Sequence, residues 1–154
     1  MSIYSNSRLG CFETCPLQYK FAYIDRIERD KEAVETFLGS RFHETMELLY
    51  KDLKCKILTI KELTDYFDSQ WDKEWFDEIT INKKDRTKED YKNLGKRFVE
   101  DYYKRCHPFA QGRVLGFEKG IFIDLKGDGK YKLRGFIDRL VQLEDGTYEI
   151  HDYK

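Results

Sequence analysis

The hydrophobic pattern of this chain changes its period once, at His107-Pro108, and that change restricts the folds open to it. Before it, apolar residues recur every three or four positions, as on one face of a helix; after it they alternate, as on a strand. Three runs read as strands: VLGFEKGIFIDL, Tyr131 to Leu143, and Thr147 to Tyr153. Gly127-Asp128-Gly129 and Glu144-Asp145-Gly146 separate them, and short glycine-bearing loops join antiparallel neighbours. The expected fold is mixed α/β, with helices over residues 1–107 and an antiparallel three-strand meander over 112–154.

The helices are marked by their ends. Ser5 or Ser7 caps a helix through LGCFETC, which Pro16 interrupts or restarts before LQYKFAYI. A second runs from about Lys31 to Lys54. The third opens on a capping box, Thr59 with Glu62, and carries Leu63, Phe67, Trp71 and Trp75 at helical spacing. The similar Thr87 and Asp90 pair opens a fourth that runs to about Arg105. With two prolines, no repeat and no low-complexity tract, a single domain over 1–154 is expected.

A hydrophobic share of 40% is enough for one packed core, and no apolar run approaches the length of a membrane span. MSIYSNSRLG lacks the basic and apolar regions of a signal peptide, so a cytoplasmic protein is expected. Its four cysteines should then be reduced, with Cys55 and Cys106 buried thiols. The net charge of -1 hides uneven runs. Seven acids face two bases from Lys61 to Glu78, whereas seven bases face four acids over Arg86 to Arg105 and six face three over Arg113 to Arg134. Ordinary solvated faces account for such runs; a nucleic acid, if one binds, should approach the second half.

The strands carry the chemistry. If Gly127 to Gly129 is a three-residue loop, Lys126 opposes Lys130, and counting back puts Glu118 opposite Asp138. If Glu144 to Gly146 is the second loop, Leu143 opposes Thr147 and Asp138 opposes Asp152. Three carboxylates then stand in a row, with Lys154 on the same face. A two-residue Asp145-Gly146 turn would instead send Asp152 to the other face. Like charges placed opposite one another destabilise a sheet, and a divalent cation such as magnesium or manganese offsets that cost. The alternative is that one or two of these acids point into solvent.

In GSRFHETMELLY, residues Val34, Phe37, Leu38, Phe42, Leu48 and Leu49 form one apolar face. Gly39, His43, Met46 and Tyr50 line up nearly opposite, so this helix should be covered on two sides. A helical glycine costs about 1 kcal/mol relative to alanine, and Gly39 is expected to admit a close neighbour one turn before His43. DLKGDG, Asp124 to Gly129, shares features with a calcium loop, but Lys126 stands at a ligand position, and a hairpin turn is the reading adopted.

Taken in order, Gly39-x-x-x-His43, Gly135-Phe-Ile-Asp138 and Asp152-Tyr153-Lys154 resemble the RecB-like branch of the PD-(D/E)XK nucleases. The opening S-x-S-R-L and Cys15-Pro16, followed by Tyr19, Phe21 and Tyr23, resembles that branch's N-terminal segment. The resemblance implies a restriction-endonuclease-like core and metal-dependent cleavage of DNA, with magnesium or manganese as cofactor. His43, Asp138, Asp152 and the carbonyl of Tyr153 would match metal ligands, Glu118 a less constant acid, and Lys154 the catalytic lysine. Arg134, Arg139 and Lys132 are candidate phosphate contacts on the second strand. Exonuclease action in repair, recombination or defence, with a helicase or recombination partner, would fit the branch.

Family members usually continue past the lysine with a turn, a helix and further strands. Their absence implies that the C-terminal part of the core is missing, and an alternative function follows: an incomplete nuclease-like module that binds DNA or a helicase without cutting. Some relatives hold an iron–sulfur cluster on one cysteine before the core and three after it. Cys11 or Cys15 matches the first, but the trailing three are absent, so no cluster is expected in this chain.

Overall fold

The computed structural model describes residues 2–27, 31–53, 55–110 and 112–153. Its contacts divide the chain into two units, residues 2–27 with 113–152 and residues 31–112 with 153. The chain is α/β, with helices and a mixed sheet.

The first unit is built on the sheet. Strand β1 (Ser2–Ser5) leads into α1 (Asn6–Thr14), whose start is capped as the Ser5 hydroxyl accepts from the Arg8 backbone N–H at 3.2 Å. Pro16 does not continue that helix; it begins the short α2 (Pro16–Tyr19), followed by a π-helical turn over Lys20–Ile24. The Arg8 guanidinium ties these pieces together. It donates to the Ile3 carbonyl and the Tyr19 hydroxyl, both at 3.0 Å, and lies over the rings of Tyr4, Tyr19 and Tyr23.

The first 107 residues also contain strands that alternation did not reveal. β1 joins the sheet by pairing parallel with the start of the long strand Tyr131–Gln142, in the register Tyr4 to Leu133. In the second unit β2 (Glu32–Ala33) leads into α3 (Val34–Asp52), which is followed by α4 (Ile60–Glu74), β3 (Ile79–Thr80) and α5 (Lys88–Cys106). β2 and β3 pair parallel with each other.

The three predicted strands form as β4 (Arg113–Asp124), β5 (Tyr131–Gln142) and β6 (Tyr148–His151). β5 is central. β4 runs antiparallel along one side, while β1 and β6 share the other, β1 against residues 131–134 and β6 against 139–142. The meander is thus antiparallel, and β1 makes the sheet mixed. One bulge, at Leu115, shifts the β4 register between Val114 and Gly116. On β5, Ile137, Arg139 and Val141 face inward, whereas the even-numbered residues lie on the more open side.

The second unit is a helical layer. Both capping boxes form as expected: Thr59 and Glu62 begin α4, and Thr87 and Asp90 begin α5. Met46 and Leu49 of α3, Leu63, Phe67 and Trp71 of α4, and Val99 of α5 are fully buried, each large apolar side chain worth roughly 1.5–3 kcal/mol of burial. α3 is buried on two sides, as its pattern predicts, with Thr45 included and Leu48 left half-buried. Gly95 has a packing role that the sequence did not reveal. The Phe67 ring fills the space a Cβ would need there, so α4 and α5 approach closely at this point. The acidic and basic runs largely meet across the same helix pair. Lys96 bonds Asp68 at 2.6 Å and Lys92 bonds Asp72 at 2.8 Å, so part of the basic excess on α5 is cancelled on folding.

Candidate active site

The β4–β5 loop sets the register at its turn. Asp124 accepts from the backbone N–H groups of Lys126, Gly127 and Gly129, and Gly127 and Gly129 take φ of 70° and 72°. Partial burial pushes the Asp124 carboxyl up, but the three amides outweigh it and hold the group below the usual range. With its carboxylate bound to amides, DLKGDG is a hairpin turn, as read from the sequence. Leu125 then donates to Tyr131 at 3.0 Å, and the pairs run back through Phe122 with Arg134, Lys119 with Ile137 and Phe117 with Arg139.

This register sets Glu118 opposite Asp138, as counted from the loop. Their carboxylate oxygens lie within 4.8 Å of each other, Glu118 exposed and Asp138 half-buried. Glu118 has φ of 44°, a left-handed conformation that is strained for a residue carrying a Cβ. Alternation cannot reveal such a residue in the middle of a strand. Two like charges face each other where the backbone also stores strain, an arrangement that clusters at functional sites. Hard oxygen donors in this arrangement fit a small divalent cation.

The second loop also has the predicted length. Gly146 takes φ of 86°, Leu143 donates to Thr147 at 2.9 Å, and Arg139 faces His151. The two-residue turn is excluded. The Asp145 carboxylate accepts from the Thr147 hydroxyl and backbone N–H, which hold its pKa down. Pairing ends at His151. Asp152 follows as an exposed residue. Lys154 lies outside the described residues.

Of the candidate phosphate contacts, Lys132 is half-buried opposite Asp124, and Arg134 is exposed opposite Phe122. Arg139 is placed differently. It is 1% exposed on the inward side of β5, because the alternation that turns Asp138 outward turns its neighbour in. A solvent-facing phosphate contact is therefore corrected to an interior guanidinium. Its charge, second to burial, lowers the pKa of His151, against the opposing effect of Glu149 at 3.1 Å. His151 was not singled out from the sequence; only its pairing with Arg139 makes it notable.

In the helical unit, His43 projects half-buried from α3, and its ring meets the Tyr153 ring edge-on at 5.6 Å. Tyr153 also stacks on Tyr50 at 6.4 Å, and the Tyr50 and Tyr102 hydroxyls hydrogen-bond at 2.9 Å. His43 lines a groove of about 470 Å³ with Gly39, Phe42, Phe98, Tyr102 and Arg105. Gly39 corrects an expectation: a Cβ there would meet nothing within 4 Å. No atom of the described residues approaches it, and the missing side chain leaves the groove open at this point. The cysteines are free, with Cys55 exposed and Cys106 half-buried where buried thiols were expected. Cys55 lies just past the end of α3 and Cys106 is the last residue of α5, where fewer neighbours cover a side chain.

Among the described residues no helix is long and apolar enough to cross a membrane. No curated protein matches the chain significantly. The profile of the PD-(D/E)XK nuclease superfamily matches residues 4–154, from β1 through the Glu118 and Asp138 pair to the D-x-K segment. A match over nearly the whole length, on a mixed α/β core that sets two acids face to face, places the chain in a family: it belongs to the PD-(D/E)XK nuclease superfamily.

Proposed function

We propose that this protein is a metal-dependent deoxyribonuclease of the RecB-like branch that hydrolyses phosphodiester bonds from DNA ends. The observation that carries the reading is the Glu118 and Asp138 pair, two carboxylates held opposite each other within 4.8 Å on neighbouring strands of a nuclease-family core. The ordered motifs from Gly39 to Lys154 support the branch.

On this reading Asp138 and Asp152, with His43 and the Tyr153 carbonyl, would hold magnesium or manganese, and Glu118 would contribute beside them. A cation bound there supplies Lewis acidity toward a phosphoryl oxygen and an adjacent water. Lys154 orients the attacking water and stabilises the negative charge that grows on the phosphate as the P–O bond to the leaving oxygen breaks. Glu118, as an acceptor beside the cation, would help orient that water. Lys132 and Arg134 bind backbone phosphates on the open side of β5.

The test is cleavage of end-labelled linear DNA by the full chain with manganese, magnesium or EDTA. Cutting that requires metal and is lost in Asp138→Ala is expected. Cutting that persists in EDTA would sink the metal-dependent mechanism; DNA binding with no cutting under any metal would sink the enzymatic reading and favour a binding module.

A further inference from the structure

We infer that the open side of the β4–β5 hairpin carries a stacking platform for an unpaired nucleotide, formed by Phe122, Arg134 and Phe136. This deepens the proposed function, because it rests on a nucleic acid substrate and names its strandedness. Residues opposite one another in the ladder share a side of the sheet, so Phe122 with Arg134, Gly120 with Phe136, and Glu118 with Asp138 form three successive steps. Steps of two residues are about 7 Å apart, which puts the aromatic cluster next to the carboxylates.

The cluster has the composition of a nucleotide-binding surface. The Arg134 guanidinium centre lies 4.6 Å from the Phe136 ring centroid and 5.9 Å from that of Phe122. Rings accept no strong hydrogen bonds, so this stacking orients the guanidinium and keeps its N–H fork for phosphate. Phe122 and Phe136 are nevertheless 58% and 56% exposed, an unusual state for two neighbouring phenylalanines on a sheet. Gly120 keeps the step beside Phe136 low, since its side of the strand carries no side chain. Lys132 lies one step further toward the loop, where Lys126 and Lys130 add positive charge.

Charge complementarity favours a phosphate-bearing occupant over an apolar protein surface, and the exposed ring faces favour one whose base is unpaired. In a duplex the base faces are already covered by their stacked neighbours; a single strand presents them. A nucleotide stacked here would have its backbone beside Arg134 and its neighbouring phosphate within reach of Glu118 and Asp138.

The test measures binding of labelled oligothymidylate and of a blunt DNA hairpin to the full chain in EDTA, with cleavage assayed separately in manganese. The Phe122→Ala/Phe136→Ala variant should weaken single-strand binding about tenfold or more while leaving hairpin binding within about twofold. Phe122→Leu/Phe136→Leu keeps apolar area but no π face, and should lose single-strand affinity likewise with an unchanged unfolding midpoint. Quenching of 2-aminopurine fluorescence in the bound strand should disappear in both. Single-strand binding by the leucine variant equal to wild type would overturn the platform, as would equal losses for strand and hairpin. So would unchanged binding accompanied by a smaller apparent size in gel filtration, which would make the face a protein interface. If wild type cuts and Asp138→Ala does not, while the ring variants behave as wild type, the platform alone fails. Ring-dependent strand binding without any cutting would retain the platform and sink the nuclease reading.

Discussion

Glu118 faces Asp138 across the β4–β5 ladder with their carboxylates within 4.8 Å, and Glu118 holds a left-handed backbone to do so. If both carboxylates hold the cation, Glu118→Gln should diminish the stabilisation gained on adding manganese. Thermal unfolding with and without the ion measures this; an undiminished gain would place the cation away from Glu118.

Backbone strain at the same residue predicts a second, separable effect. Glu118→Gly removes the penalty of a Cβ at φ of 44° and should raise unfolding stability by about 1 kcal/mol, read from the urea midpoint. Glu118→Ala, which keeps the Cβ, should not show that gain.

Gly95 and Gly39 should respond in opposite directions to the same substitution. Gly95→Ala forces a methyl into the buried Phe67 ring and should destabilise by about 2 kcal/mol. Gly39→Ala meets open space inside a helix and should stabilise by about 0.5–1 kcal/mol. Urea denaturation of both variants checks the pair, and a stable Gly95→Ala protein would contradict the close approach of α4 and α5.

The α4 capping box makes stability depend on acid. The Lys56 ammonium, with the Thr59 backbone N–H and hydroxyl, holds the Glu62 carboxyl down to about 2 from an ordinary 4.5. A carboxyl whose folded pKa lies below its unfolded one stabilises fully above the unfolded value, and that contribution is lost as pH falls from about 4.5 to about 2. Glu62→Gln should be less stable than wild type at neutral pH, and the difference should shrink through that window. A difference independent of pH would assign the effect to helix propensity.

His151 adds a window at higher pH. Burial, then the charge of Arg139, lowers its pKa from the ordinary 6.5, so the unfolded chain takes up the proton first and stability falls as pH drops below 6.5. His151→Gln should flatten the stability profile just below that pH. Histidine NMR titration should show the ring protonating later than in a free peptide.

Short-range features could be read from the residues because their causes are short-range. The capping boxes at Thr59 and Thr87 require residues three apart, and the hairpin registers require only loop length and alternation. Counting from Gly129 and Gly146 was therefore enough to set Glu118 against Asp138 and to extend β5 toward β6. By contrast, the parallel pairing of β1 with β5 joins residues about as far apart as the chain allows, and nothing in SIYS marks a partner. The apparent basic excess of α5 vanished in part because Asp68 and Asp72 come from another helix. Gly39 and Gly95 look alike in sequence, and only the position of the Phe67 ring tells them apart. Arg134 and Arg139 are both arginines on one strand, but an odd step separates their faces, and which face is covered is set by packing. The sequence by itself determined the long helices, the two capping boxes and the ladder that aligns two acids, since each depends on neighbours within a few residues. Burial, charge cancellation and the strain at Glu118 were decided by the tertiary structure, because each depends on side chains brought together from distant parts of the chain.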